Sequence, residues 1–162
     1  MSYTNADGLY VLTHAAQGNV QDKGTTVRPP LNFLVVDIPD FTAIGSSFGA
    51  SNIDPMDPVI PANSVIINAD LIIETAADSA ADNATLTIGL YTAAGAAIDA
   101  DGIDATIAQS AIDAQYDVVQ CDGALVNGVL TTGANAGYVG LIYGTAAFTA
   151  GAAKLVIQYY TL

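Results

Sequence analysis

The chain of 162 residues has no tryptophan, a single histidine (His14), a single cysteine (Cys121) and three basic residues, Lys23, Arg28 and Lys154, against sixteen acidic ones. Each shortage excludes something. One histidine and one cysteine cannot assemble a zinc ligand set. A lone cysteine forms no disulfide within the chain, and its expected role is that of a small buried hydrophobe. Three scattered cations cannot form the basic patch that phosphate contacts require, so nucleic acid and anionic membrane surfaces are not expected partners. Fifteen of the sixteen acids are aspartate, and Glu74 is the one glutamate. Exposed helix faces are built largely from Glu and Lys, so this composition is poor helix material. The charge-free stretch 123–153 is broken by Asn127, Thr131, Thr132, Asn135 and several glycines, and holds no apolar run long enough to span a bilayer. The first residues lack the basic and apolar regions of a secretory leader, so synthesis and assembly in a cytoplasm are expected.

What is present is a net charge of −13, with Gly, Ala, Thr, Asn and eight tyrosines filling most of the remainder. The length suits one domain. Residues 1–30 contain a short strand candidate, Leu9-Tyr10-Val11-Leu12, then Gly, Asn and Pro-rich loop material; they read as an extended arm preceding a domain over 31–162. Within the domain, residues 31–38 read as a strand with Phe33, Val35 and Val36 as its core, ended by Pro39. Residues 40–63, with Pro55, Pro58 and Pro61, form a long irregular stretch of the kind that is functional or lies against something. Residues 64–74 alternate with period two, placing Val65, Ile67, Ala69, Leu71 and Ile73 on one face. Residues 84–92 repeat the pattern, with Leu86, Ile88 and Leu90 inside and Tyr91 outside, and 76–83 connects the two as a loop. The four- and five-residue spacing of Ile103, Ile107, Ala111 and Ile112 predicts a short helix over 101–112. Strands follow at 116–121, 137–145 and 154–160, with a turn at Ala150-Gly151. Six or more strands with at most one short helix make an all-β protein: a jelly-roll-like antiparallel β-sandwich.

The search for chemistry returns little. His14 and Cys121 lack a placed orienting or activating partner, so no catalytic pair is assigned and no enzyme is expected. Aspartates are too evenly scattered to single out a carboxylate pair. Asp99-Ala100-Asp101-Gly102-Ile103-Asp104 has calcium-like alternation, but the EF-hand spacing fails and position 108 is Ala. A capping turn is therefore the reading, with calcium at Asp99, Asp101 and Asp104 as the alternative; no metal or cofactor is assigned. Tyr91, Tyr138, Tyr143, Tyr159 and Tyr160 suit sugar stacking, the basis of an alternative carbohydrate- or receptor-binding module, although strand aromatics more often serve a core or an interface.

Three stretches carry a resemblance. Ile60-Pro61-Ala62-Asn63-Ser64-Val65-Ile66 leads into one strand, and Ala84-Thr85-Leu86-Thr87-Ile88-Gly89-Leu90 forms another. Ala146-Ala147-Phe148-Thr149-Ala150-Gly151 precedes the closing Lys154-Leu155-Val156-Ile157-Gln158-Tyr159. Together, over about residues 60–160, they resemble the cement or decoration proteins of tailed bacteriophages, including cyanophages and marine phages. The resemblance implies a jelly-roll-like sandwich on the outer surface of a capsid, a homotrimer bound to the major capsid protein, and no catalytic residues. A cement protein needs modest contacts repeated over a lattice, where avidity does the rest. The contact candidates are Tyr3, Tyr10 and Arg28 in the arm and Phe41, Phe48 and Met56 in the long loop. Packing within the chain's own domain is the competing role for each.

Overall fold

The computed structural model describes residues 3–4, 10–11, 31–54, 56–127 and 132–161. The chain divides into two units, Met1–Pro30 and Leu31–Leu162. In the first, β1 (Tyr3–Thr4) pairs antiparallel with β2 (Tyr10–Val11), Tyr3 opposite Val11 and Thr4 opposite Tyr10. Arg28 lies outside the described residues.

The second unit contains β3 (Asn32–Ile38), β4 (Val59–Ile60), β5 (Ser64–Ser79), β6 (Thr85–Tyr91), β7 (Ala97–Ala108), β8 (Val118–Gln120), β9 (Gly137–Gly144) and β10 (Phe148–Thr161). They form two four-stranded antiparallel sheets, ordered β3-β10-β5-β8 and β4-β9-β6-β7. Counted one to eight from β3, the orders are 1-8-3-6 and 2-7-4-5, which is the jelly-roll topology. Leu71, Ile73, Leu155 and Ile157 of one sheet and Leu86, Ile88, Leu90 and Ile103 of the other are fully buried in one cluster. Each such side chain contributes roughly 1.5–3 kcal/mol relative to leaving it in water.

Several expectations are corrected. The predicted helix at 101–112 is strand β7 followed by a single 3-10 turn, Gln109–Ala111. The cause is bulging. Leu86, Ile88 and Leu90 pair with Ile107, Asp104 and Asp99, so β7 advances three and then five residues while β6 advances two and two. Extra residues inserted into one strand break its alternation and spread the buried positions to helix-like spacing.

In β3 the inward set is Leu34, Val36 and Ile38. Phe33 and Val35, expected in the core, are 60% and 48% exposed and share their face with Asp37. Strand side chains alternate strictly, so the side bearing the carboxylate is the solvent side. In β5, Ala69, Leu71 and Ile73 point inward as expected, but Ile67 does not. Gln158 pairs with Asn68 and Tyr159 with Ile66, so Ile67 is an unpaired bulge residue and Ile66 takes the buried position. The expected loop at 76–83 begins later, because β5 runs on to Ser79 and the turn occupies 80–83. Ala150-Gly151 is no turn but an irregularity inside β10, where Gly151 takes φ +137°. Tyr91 is buried, although on the outward parity of β6, because Phe48 covers it with ring centroids 4.5 Å apart.

The long stretch after β3 lies on its own sandwich. Asp40 caps a 3-10 turn, Phe41–Ala43, by accepting the Thr42 N–H at 2.8 Å. A hydrogen bond with the Thr42 side chain, and then this backbone bond, both favouring the charged form, hold the Asp40 carboxyl below its ordinary range. Gly45 then bridges to Ile142 of β9.

Candidate interaction surface

The outer face of the β3-β10-β5-β8 sheet is the most distinctive surface of the described unit. Its register sets the composition row by row. Asp37, Lys154, Ile72 and Val118 lie across one row, and Val35, Val156, Asp70 and Gln120 across the next. Phe33, Gln158 and Asn68 begin a third. Val118 is 61% exposed at the far edge, and Tyr116, 75% exposed, stands just before it. Tyr116 has φ +74°, an uncommon conformation for a bulky residue, and its N–H donates to the Ile73 carbonyl at 2.8 Å. Phe33 and Val35 at one edge and Val118 at the other thus flank a middle in which Lys154, Asp70, Gln158 and Asn68 alternate with Ile72 and Val156.

That middle is ordered by side-chain contacts. Lys154 Nζ lies 2.6 Å from Glu74 Oε1 and 3.3 Å from Asp37 Oδ1. Its ammonium is pushed up in pKa, chiefly by the Glu74 hydrogen bond. Lys154 is the one basic residue between positions 31 and 162, alongside fourteen acids, so this unit carries the whole of the net charge while residues 1–30 balance. Gln120 Nε2 donates to Asn68 Oδ1 at 3.1 Å, and Asn68 Nδ2 donates to Asp70.

The sequence candidates fall in different places. Phe41 is fully buried against Phe148, so it is a core residue of this chain. Phe48 is half-buried on Tyr91, next to Gly140, where an added Cβ would come within 2.9 Å of the Phe48 ring. Met56 is 90% exposed. Tyr3 and Tyr10 sit in β1 and β2, in the other unit. None of these belongs to the strands of the β3-β10-β5-β8 sheet. The exposed residues Phe33, Val35, Tyr116 and Val118 were not among the sequence candidates. For β3 the signal was in the sequence: Asp37 shares the parity of Phe33 and Val35.

The calcium-like segment lies in bulged β7. Burial and a hydrogen bond with Asp101 raise the Asp99 carboxyl. Burial also raises that of Asp104, which accepts the Thr106 N–H at 3.0 Å. Among the described residues no three of His, Cys, Asp and Glu are grouped to hold a metal ion. Cys121 is buried, its N–H donating to the Ala69 carbonyl. Burial, then the charges of Asp104, Asp70 and Asp122, push its thiol up to about 12, so it stays protonated and unreactive.

The same two-sheet fold occurs in chains of two phage shells. A chain in the capsid of Ralstonia phage GP4 superposes with a TM-score of 0.57 at 17% identity, covering 85% of this chain and 89% of that one. A chain in the capsid asymmetric unit of cyanophage Pam1 gives a TM-score of 0.57 at 16% identity, covering 86% and 90%. No family model and no curated protein matches the sequence.

Proposed function

We propose that this chain is a structural virion protein that binds the outer surface of a phage capsid and stabilises the shell. The observation that carries the reading is length-wise: the likeness to the two phage-capsid chains spans nearly all of both partners rather than a shared fragment. A rigid sandwich with a mixed face of Phe33, Val35, Val118 and Tyr116 around a fixed Lys154 cluster suits weak contacts repeated over a lattice. In this reading the protein is not an enzyme, its partner is the major capsid protein, and it assembles as a homotrimer. Closed trimers match the threefold axes of an icosahedral shell.

Mixing the purified protein with purified expanded heads and pelleting the heads tests it. Saturable, stoichiometric co-sedimentation is expected, with treated heads surviving heating that disrupts untreated ones. Protein that stays in the supernatant at every concentration overturns the reading. Sedimentation velocity of the free protein tests the trimer, for which three chains per particle are expected.

A further inference from the structure

Among the described residues β3 is an edge strand, paired only with β10. Which of its backbone groups are left over follows from the alternation of antiparallel ladders. Cys121 N–H bonds the Ala69 carbonyl, and Ile73 exchanges bonds with Tyr116 and Asp117. Odd-numbered residues in this part of β5 therefore face β8, and Asp70 and Ile72 face β10. Opposite them, Val156 and Lys154 face β5, which leaves Leu155 and Ile157 to bond Val36 and Leu34. The N–H and C=O groups of Phe33, Val35 and Asp37 consequently point off the open edge. These are the same residues whose side chains face solvent.

Edges of this kind are normally blunted by a bulge, a proline, a lysine or an inward charge. The seven β3–β10 pairs run without a bulge, and residues 33–38 contain neither proline nor lysine. Beside the edge is a groove of about 390 Å³. Val35 and Asp37 form one wall, and Val139 and Leu141 of β9 the other, with Phe48 and Asp57 among the remaining lining residues. Val35, Val139 and Leu141 give the walls apolar patches beside polar surface, and the charges are all carboxylates, in a unit of net charge −13.

We propose that this edge is a strand-addition site for an extended segment of a different polypeptide, apolar at alternate positions and carrying cations at its ends. Its backbone bonds Phe33 and Val35, its apolar side chains enter the groove against Val139 and Leu141, and its cations meet Asp37 and Asp57. Joining two copies edge to edge would instead bring together two units of like charge, which is unfavourable. The inference does not depend on the capsid reading, because its test needs only the free protein.

The probe is a fluorescent octapeptide, Lys-Val-Thr-Val-Thr-Val-Thr-Lys, titrated with the full chain by anisotropy. A Glu-ended counterpart and two versions N-methylated on alternate amides, one in each phase, complete the set. The Lys-ended peptide is expected to bind and the Glu-ended one to bind at least tenfold more weakly. One N-methyl phase loses at least tenfold in affinity while the other is retained. Val35→Pro, which removes an outward N–H and no ladder bond, abolishes binding with an unchanged circular dichroism spectrum. The N-methyl pair gives the same information should that variant not fold. Equal binding of the Lys- and Glu-ended peptides, or of both N-methyl phases, overturns the proposal. So does a change in the self-association of the free protein on Val35→Pro, which would make the occupant a second copy.

Discussion

Phe41 and Phe148 pack ring on ring, centroids 5.3 Å apart and planes tilted by 58°, and Gly151 lies against the Phe41 ring. A Cβ on Gly151 would come 2.4 Å from Phe41 Cδ2, at a φ of +137° that only glycine adopts without strain. Phe41→Ala is expected to cost about 3–5 kcal/mol in urea unfolding, as for other buried phenylalanines. Gly151→Ala is expected to destabilise as well, and by less in the Phe41→Ala background, where the clash is gone but the strained φ remains. Strict additivity of the two would show that the ring does not press on Gly151.

The solvent face of the β3-β10-β5-β8 sheet predicts a separation of binding from stability. Phe33→Asp and Val118→Asp alter exposed side chains and are expected to change unfolding free energy by no more than about 0.5 kcal/mol. Both are expected to abolish co-sedimentation with heads. Met56→Asp, at a residue still more exposed and outside the strands of this sheet, serves as the comparison. Undiminished binding by both sheet variants would move the contact elsewhere.

Asp104 predicts a pH dependence. Burial raises its pKa above the ordinary 3.8, so the folded state holds the proton more tightly than the unfolded chain does. The charged form costs stability at neutral pH, and that cost is relieved as pH falls through the raised value. The melting temperature should therefore climb on acidification from neutral pH, and the climb should be shallower in Asp104→Asn. The acidic surface adds a slope common to both proteins, so the difference between the two curves is the readout. Parallel curves would remove Asp104 from the effect.

Cys121 predicts silence. With its thiol near 12, a thiol reagent at pH 8 should label the native protein about 10³-fold more slowly than the protein in concentrated urea. Prompt native labelling would contradict its burial.

The sandwich was legible wherever alternation was unbroken. Leu86, Ile88 and Leu90, and Ala69, Leu71 and Ile73, are assigned correctly because period two maps directly onto two faces. Three of the failures share one cause. At Ile67, through β7 and at Gly151 a bulge or register shift interrupts the period, and a single sequence does not say where a ladder slips. Phe41 and Phe48 illustrate a second limit: both lie in irregular chain, and only tertiary packing shows one in the core and the other capping Tyr91. The sheet face was hidden because Phe33 and Val35 look like core residues until Asp37 is counted with them.

The position of β10 has a consequence for biosynthesis. The strand synthesised after all the others lies between β3 and β5, pairing with residues 32–38 on one side and 64–79 on the other. Until residues 148–161 have left the ribosome, β3 has no described neighbour and half of the sandwich has no centre. Each of these pairings joins segments more than 65 residues apart, so folding of this sheet is governed by the closure of long loops.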